Sequence, residues 1–310
     1  MKKLLILLTF VLFLNGCAAL PSQSVVSAED AVSEFRDTTA PEVELVNAAV
    51  LNTETEEAIP IETAAMVAEF TAESEVLTVD TSEAAIDTSE PEPEPVPERG
   101  YIYLTFDDGP YKYTERVLEI LDEYNVTATF FIVGQFADYY PRRVRAIAEA
   151  GHDIGCHSAT HDYSAIYASG DAITADIATW EAIVTEALGE VPEERLYRFP
   201  GGSNCTAIPQ GSFDTLHDAV NELGYRGFDW TCANNDKWYA GKREDQTLTD
   251  YFKESVISSL AISGETRIML LHETVAESVE MLPWLIEYLQ GEGYGFAPLS
   301  KYEGEYLFAA

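Results

Sequence analysis

Five short stretches hold the residues best suited to chemistry: Asp107-Asp108 in TFDDGP, His157 and His161 in HSATH, Arg198 in RFPGGS, Asp229-Trp230, and His272 closing RIMLLH. Adjacent aspartates repel each other. After an apolar run they either decorate a turn or form part of a cation site, where a divalent charge offsets the repulsion. Such a site needs further ligands, and residues four apart share one face of a helical turn, so His157 and His161 can aim both imidazoles at one point. One aspartate and two histidines make a three-ligand set with open positions, the arrangement of catalytic rather than structural zinc.

These residues need elements to position them. From residue 100 the chain alternates short apolar runs (YIYLTF, ATFFIVG, DIGCHS, LYRFP, GFDWT, RIMLLH, GFAPL) with amphipathic stretches such as TERVLEILDEY and AITADIATWEAIVTEALG. That rhythm predicts a parallel sheet whose strands are joined by helices. Gly151, Gly189 and Gly224 stand where helix C-termini are expected. About seven repeats in a domain of this size favour a small or incomplete α/β barrel over an open doubly wound sheet, and no GxGxxG follows the first strand. Asp107, Asp108, His157, Arg198, Asp229 and His272 all fall at the C-terminal ends of expected strands, the rim on which α/β barrels gather catalytic groups.

In order and interval, TFDDGP, HSATH, RFPGGS, DW and LLH resemble the five motifs of the polysaccharide deacetylases of carbohydrate esterase family 4, the NodB-homology domain, over about residues 99–300. The resemblance implies a distorted, incomplete (β/α) barrel. It implies Asp107 as general base, and Asp108, His157 and His161 as ligands of one divalent ion, zinc first, with cobalt, manganese or nickel also suited to the set. Arg198 would orient the base, and His272 would be the general acid, kept cationic by Asp229. The Gly201 amide would donate to the oxyanion, and Trp230 and Leu270 would wall a pocket for the acetyl methyl. Two departures stand out: Gly201 replaces a common tyrosine, suggesting a roomier cleft, and Asp236 is followed by Lys237 rather than tryptophan. His152 and His217 read as structural, and Glu273, beside His272, as a candidate supporting partner. Tyr111, Tyr113, Tyr139, Tyr140 and Trp238 are either sugar-stacking platforms or ordinary loop aromatics.

Composition divides the 310 residues into three parts. Residues 1–20 carry Lys2 and Lys3 before LLILLTFVLFL, an export signal in form. Cys17 in LNGC suits lipoprotein processing, cleavage after Ala28 suits an ordinary signal peptidase, and an uncleaved anchor is the third reading. Residues 21–98 hold 20 Asp and Glu against Arg36 alone and end in PEPEPVPE, the composition of a solvated, disordered linker. Residues 99–310 form the expected deacetylase domain. The formal net charge of −36 argues against nucleic acid or an anionic membrane as partner, leaving a membrane contact only through the N-terminus. Cys156, Cys205 and Cys232 read as buried thiols, with a Cys205–Cys232 bridge the alternative.

Three functions follow from these readings. The first is an exported, metal-dependent N-deacetylase of a cell-wall glycan, peptidoglycan GlcNAc or MurNAc, or of chitooligosaccharides, acting at the cell surface or secreted. The second is an O-acetyl esterase, for example on xylan, and the third a non-catalytic glycan-binding surface lipoprotein. Oligomeric state is open.

Overall fold

The computed structural model describes residues 97–304. The expected export signal and all but the last two residues of the expected linker lie outside that range. Eight strands form one sheet: β1 (Tyr101–Gly109), β2 (Thr129–Ile132), β3 (Asp153–Cys156), β4 (Leu196–Tyr197), β5 (Arg226–Gly227), β6 (Cys232–Ala233), β7 (Arg267–His272) and β8 (Gly295–Phe296). Every pairing is parallel, in the order β5-β4-β3-β2-β1-β7-β6, with β8 also against β1. Among the described residues no ladder joins β5 to β6, so the curled sheet stays open there, as an incomplete barrel does. The sequence pattern gave seven strands and missed β6, whose two residues are too few to show a period.

The helices are α1 (Thr114–Glu123), α2 (Gly134–Tyr139), α3 (Pro141–Glu149), α4 (Tyr163–Ile166), α5 (Gly170–Leu188), α6 (Phe213–Glu222), α7 (Leu248–Ile262), α8 (Ala276–Glu280) and α9 (Leu282–Gly291). Local chemistry sets their limits. Helix α5 starts where the Ser169 hydroxyl accepts from the Ala172 amide (3.1 Å), and it stops at Gly189, whose φ of +90° suits a residue without Cβ. The run SVEMLPWLIEYLQ, one helix by its periodicity, is two. Pro283 has no amide proton to continue α8 and instead opens α9 from the first turn.

Strand alternation decides what reaches the site. On β1, Ile102, Leu104 and Phe106 face the large core shared with the helices, while Tyr103, Thr105 and Asp107 face the barrel interior. On β7, Met269 and Leu271 join the helix-side core, and Ile268 lies inside with Tyr103, Phe131, Leu196 and Phe228. The same period brings Leu270 and His272 to the inner face. The inner cluster is therefore a plug of aromatic and branched side chains, and the polar residues stand on its upper edge. Cys156, Cys205 and Cys232 are all buried thiols outside any disulfide, so the alternative Cys205–Cys232 bridge is not formed.

Candidate active site

Successive residues of a regular strand point to opposite faces, so Asp107 and Asp108 should diverge. They do not, because the β1–β2 register shifts between Asp107 and Gly109, and Asp108 takes φ +66°. This bulge turns the second carboxylate back to the rim. His157 Nε2 consequently lies 3.7 Å from Asp107 Oδ2 and 3.6 Å from Asp108 Oδ1.

His157 follows β3, where its ring Nδ1–H donates to the Arg198 carbonyl (2.9 Å) and leaves Nε2 as a bare acceptor facing the aspartates. Burial pushes this imidazole down to about 4, so it is neutral near pH 7 and ready to be a ligand. His161 Nε2 is 3.4 Å from Asp108 Oδ1. The helical turn expected between the histidines is absent. Ser158 and His161 have φ of +73° and +57°, and the Ser158 hydroxyl accepts from the Thr160 and His161 amides. The loop is held from outside by the buried carboxylate of Asp176, which accepts from the Ala159 amide (2.8 Å) and the Thr160 hydroxyl (3.2 Å). The two rings still converge, with centroids 5.2 Å apart.

Donor atoms of Asp108, His157 and His161 lie within 4.8 Å of one another, the one such metal-competent group found among the described residues. Two imidazole nitrogens and a carboxylate oxygen with room for further ligands suit a divalent transition ion. Burial acts to raise the Asp108 carboxyl, but electrostatic attraction to His272, His161, Lys237 and His157 outweighs it, and the group is held well below the usual carboxylate range.

Arg198 is completely buried. It donates to Asp107 Oδ1 (2.7 Å), Thr105 Oγ1 (2.7 Å), the Phe228 carbonyl (2.9 Å) and the Asp229 carbonyl (3.1 Å), and it stacks on Phe131 at 4.2 Å. With all three of its nitrogens engaged, the guanidinium cannot swing away, and the Asp107 carboxyl group is held with Oδ2 turned toward His157.

On the opposite side, His272 ends β7. Its partner is Asp236 and not Asp229. Asp236 Oδ1 is 2.6 Å from His272 Nδ1, and Oδ2 accepts from the His272 amide (2.9 Å) and the Ser278 hydroxyl. Burial alone would lower the His272 pKa, but the Asp236 charge and hydrogen bond raise it. Its Nε2 faces Asp108 Oδ2 at 3.9 Å. The Asp229 carboxylate instead accepts from the Ser203 amide (3.0 Å) and hydroxyl, tying down the Gly201-Gly202-Ser203 loop. The physical reason is reach: two residues after β5, Asp229 lies beside the loop following β4, whereas Asp236, beyond β6, lies beside β7.

Gly201 and Gly202 have φ of +77° and +85°. A Cβ on Gly201 would meet Cys205 Sγ at 2.9 Å and the Tyr163 hydroxyl at 3.1 Å, and one on Gly202 would meet the Trp230 ring at 3.0 Å. The roomier cleft expected from these glycines is therefore absent, since Tyr163, Cys205 and Trp230 fill the space. Leu270 is buried on the inner face of β7 next to Ala233, and Trp230 is partly exposed beside Arg198 (5.8 Å). His152, whose Nδ1 accepts from the Ala128 amide, and His217, stacked on Phe213, are structural. Tyr139 and Trp238 are exposed.

Two contributors were not identified from the sequence. Asp176 had a legible signal, an acid at a core position in the i, i+3, i+4, i+7 series Ile173, Asp176, Ile177, Trp180. Asp236 as the His272 partner had none, because the contact spans 36 residues.

A model of the polysaccharide deacetylase family matches residues 95–228. A peptidoglycan-N-acetylglucosamine deacetylase of Bacillus cereus is 31% identical over 199 residues, 64% of this chain and 69% of that protein. The catalytic domain of the peptidoglycan N-acetylglucosamine deacetylase from Eubacterium rectale superposes with a TM-score of 0.60 at 31% identity, covering 73% of this chain and 97% of that one. An acetyl xylan esterase of Clostridium thermocellum, solved with a cobalt ion, gives a TM-score of 0.52 at 31% identity over 65% of this chain and 89% of that one. The chain belongs to the polysaccharide deacetylase family, carbohydrate esterase family 4.

Proposed function

We propose that the protein is a metal-dependent hydrolase that removes N-acetyl groups from a cell-wall glycan, with peptidoglycan GlcNAc or MurNAc as substrate. The observation that carries the reading is a buried carboxylate clamped by an arginine, Asp107–Arg198, beside three convergent donors and across from a carboxylate-paired histidine, His272–Asp236. Asp108, His157 and His161 would hold the divalent ion, zinc first among the metals that suit them. When bound, it supplies Lewis acidity to water and to the acetyl carbonyl.

The chain's own residues do the rest. Asp107 accepts a proton from the attacking water as oxygen bonds to the carbonyl carbon. The Gly201 amide, pinned through Ser203 and Asp229, is the oxyanion donor, and Trp230 and Leu270 line the methyl side. His272, whose pKa Asp236 raises, gives a proton to the sugar nitrogen as the C–N bond breaks. Acetate and a free amine leave. The preference for peptidoglycan rests on the likeness to the two peptidoglycan deacetylases compared above. We further infer that the chain is exported and acts at the cell surface, which the apolar stretch after Lys2-Lys3 supports.

The test is acetate release from purified peptidoglycan, chitooligosaccharides and acetylated xylan by the full-length chain. Release from peptidoglycan, with the xylan ester cleaved slowly, is expected. Release from xylan alone would reassign the protein as an O-acetyl esterase, and glycan binding without release would make it a binding protein.

A further inference from the structure

The two oxygens of Asp108 face different partners. Oδ1 faces His157 Nε2 and His161 Nε2 at 3.6 and 3.4 Å, whereas Oδ2 is 3.3 Å from Lys237 Nζ. The same ammonium donates to Thr274 Oγ1 at 3.0 Å, so Lys237 ties the end of β1 to the segment after β7. An isolated, part-exposed lysine would be a poor positioning device, because surface ion pairs hold weakly. Here the backbone on both sides is fixed. Asp236, immediately before it, is buried with three hydrogen bonds to His272 and Ser278, and its amide donates to Asn234 Oδ1 (3.2 Å). Immediately after it, the Trp238 amide closes a turn on the Asn235 carbonyl (2.9 Å).

We propose that Lys237 is a positioning residue for the Asp108 ligand, holding Oδ2 aside so that the carboxylate offers a single oxygen to the ion. This rests on the metal-site reading given above. Two consequences follow from the charges and the ligand count. A carboxylate restricted to one oxygen leaves coordination positions for water and for the acetyl carbonyl, both of which the hydrolysis needs. An ammonium on the same carboxylate also opposes the incoming cation, so binding is weaker than the three donors alone would give. Tight binding is thereby exchanged for an open, more electrophilic centre.

The experiment is cobalt(II) titration of the full-length wild-type chain and of Lys237→Met and Lys237→Arg, read by calorimetry and by visible absorption, whose intensity falls as the coordination number of cobalt rises. Lys237→Met is expected to bind cobalt about tenfold more tightly, a size typical of changes around a ligand, and to show a weaker absorption band. Lys237→Arg, which restores the cation, should return both toward wild type. Equal affinity and superimposable spectra for wild type and Lys237→Met would overturn the role of Lys237 while leaving the metal site intact. Wild type that binds no cobalt would remove the site itself, and this proposal with it.

Discussion

Glu273 offers a test in which the structure sets both sign and size. The residue has no exposed surface, and neither carboxyl oxygen has a hydrogen-bond partner among the described residues. The nearby Thr114 hydroxyl donates instead to the Tyr111 carbonyl at 2.8 Å. Burial pushes the carboxyl up to about 8, against smaller opposing effects of Thr114 and Arg143. The folded-state pKa therefore lies above the unfolded value near 4.5. Stability from this group is complete below pH 4.5 and is lost as pH rises to about 8, where an unpaired carboxylate would have to be buried. A displacement from 4.5 to about 8, at 1.36 kcal/mol per unit, amounts to about 5 kcal/mol in full, of which about 4 kcal/mol falls between pH 5 and pH 9. Glu273→Gln keeps the shape and removes the titration. Urea unfolding of both proteins at these two pH values, without added metal, should show near-equal stability at the lower pH and the variant ahead by about 4 kcal/mol at the higher. Parallel curves would refute the reasoning, because Glu273 would then be charged and solvated or paired in the folded protein.

Further outcomes follow from the site. Asp236→Asn removes the charge that raises the His272 pKa, so the alkaline limb of the kcat/KM profile should move to lower pH, with up to ~100-fold loss of rate at alkaline pH and little change in zinc affinity. Asp176→Ala leaves the buried Ala159 amide without its acceptor, which should cost about 1–3 kcal/mol in thermal unfolding. It should also weaken zinc binding by about 10-fold or more in calorimetry, since the histidine loop loses its anchor.

Much of this architecture was readable in advance. Parallel strands buried on both faces write themselves as apolar runs, which is why YIYLTF and RIMLLH located β1 and β7, and why Asp107 and His272 fell on the rim. The five motifs brought Asp108, His157, His161 and Arg198 to one place, although the histidine spacing suggested a helical turn where the chain uses left-handed residues and an external carboxylate. Illegible features were those set by tertiary contact. Two-residue β6 carries no period, the pairing of His272 with Asp236 in preference to Asp229 depends on which loop lies against β7, and Tyr163 filling the space beside Gly201 comes from α4. In the sequence Lys237 stands out only as a departure from tryptophan, and its contact with Asp108 is made by the fold.

The central claim is that one aspartate of the adjacent pair binds an ion and the other handles a proton. Asp107→Asn separates the two jobs, so zinc stoichiometry and acetate release should be measured on the same samples of wild type, Asp107→Asn and Asp108→Asn. One zinc per chain is expected in wild type and Asp107→Asn, with acetate released from peptidoglycan only by wild type, while Asp108→Asn loses both. Acetate release persisting in Asp107→Asn, or zinc retained with wild-type affinity in Asp108→Asn, would contradict the account.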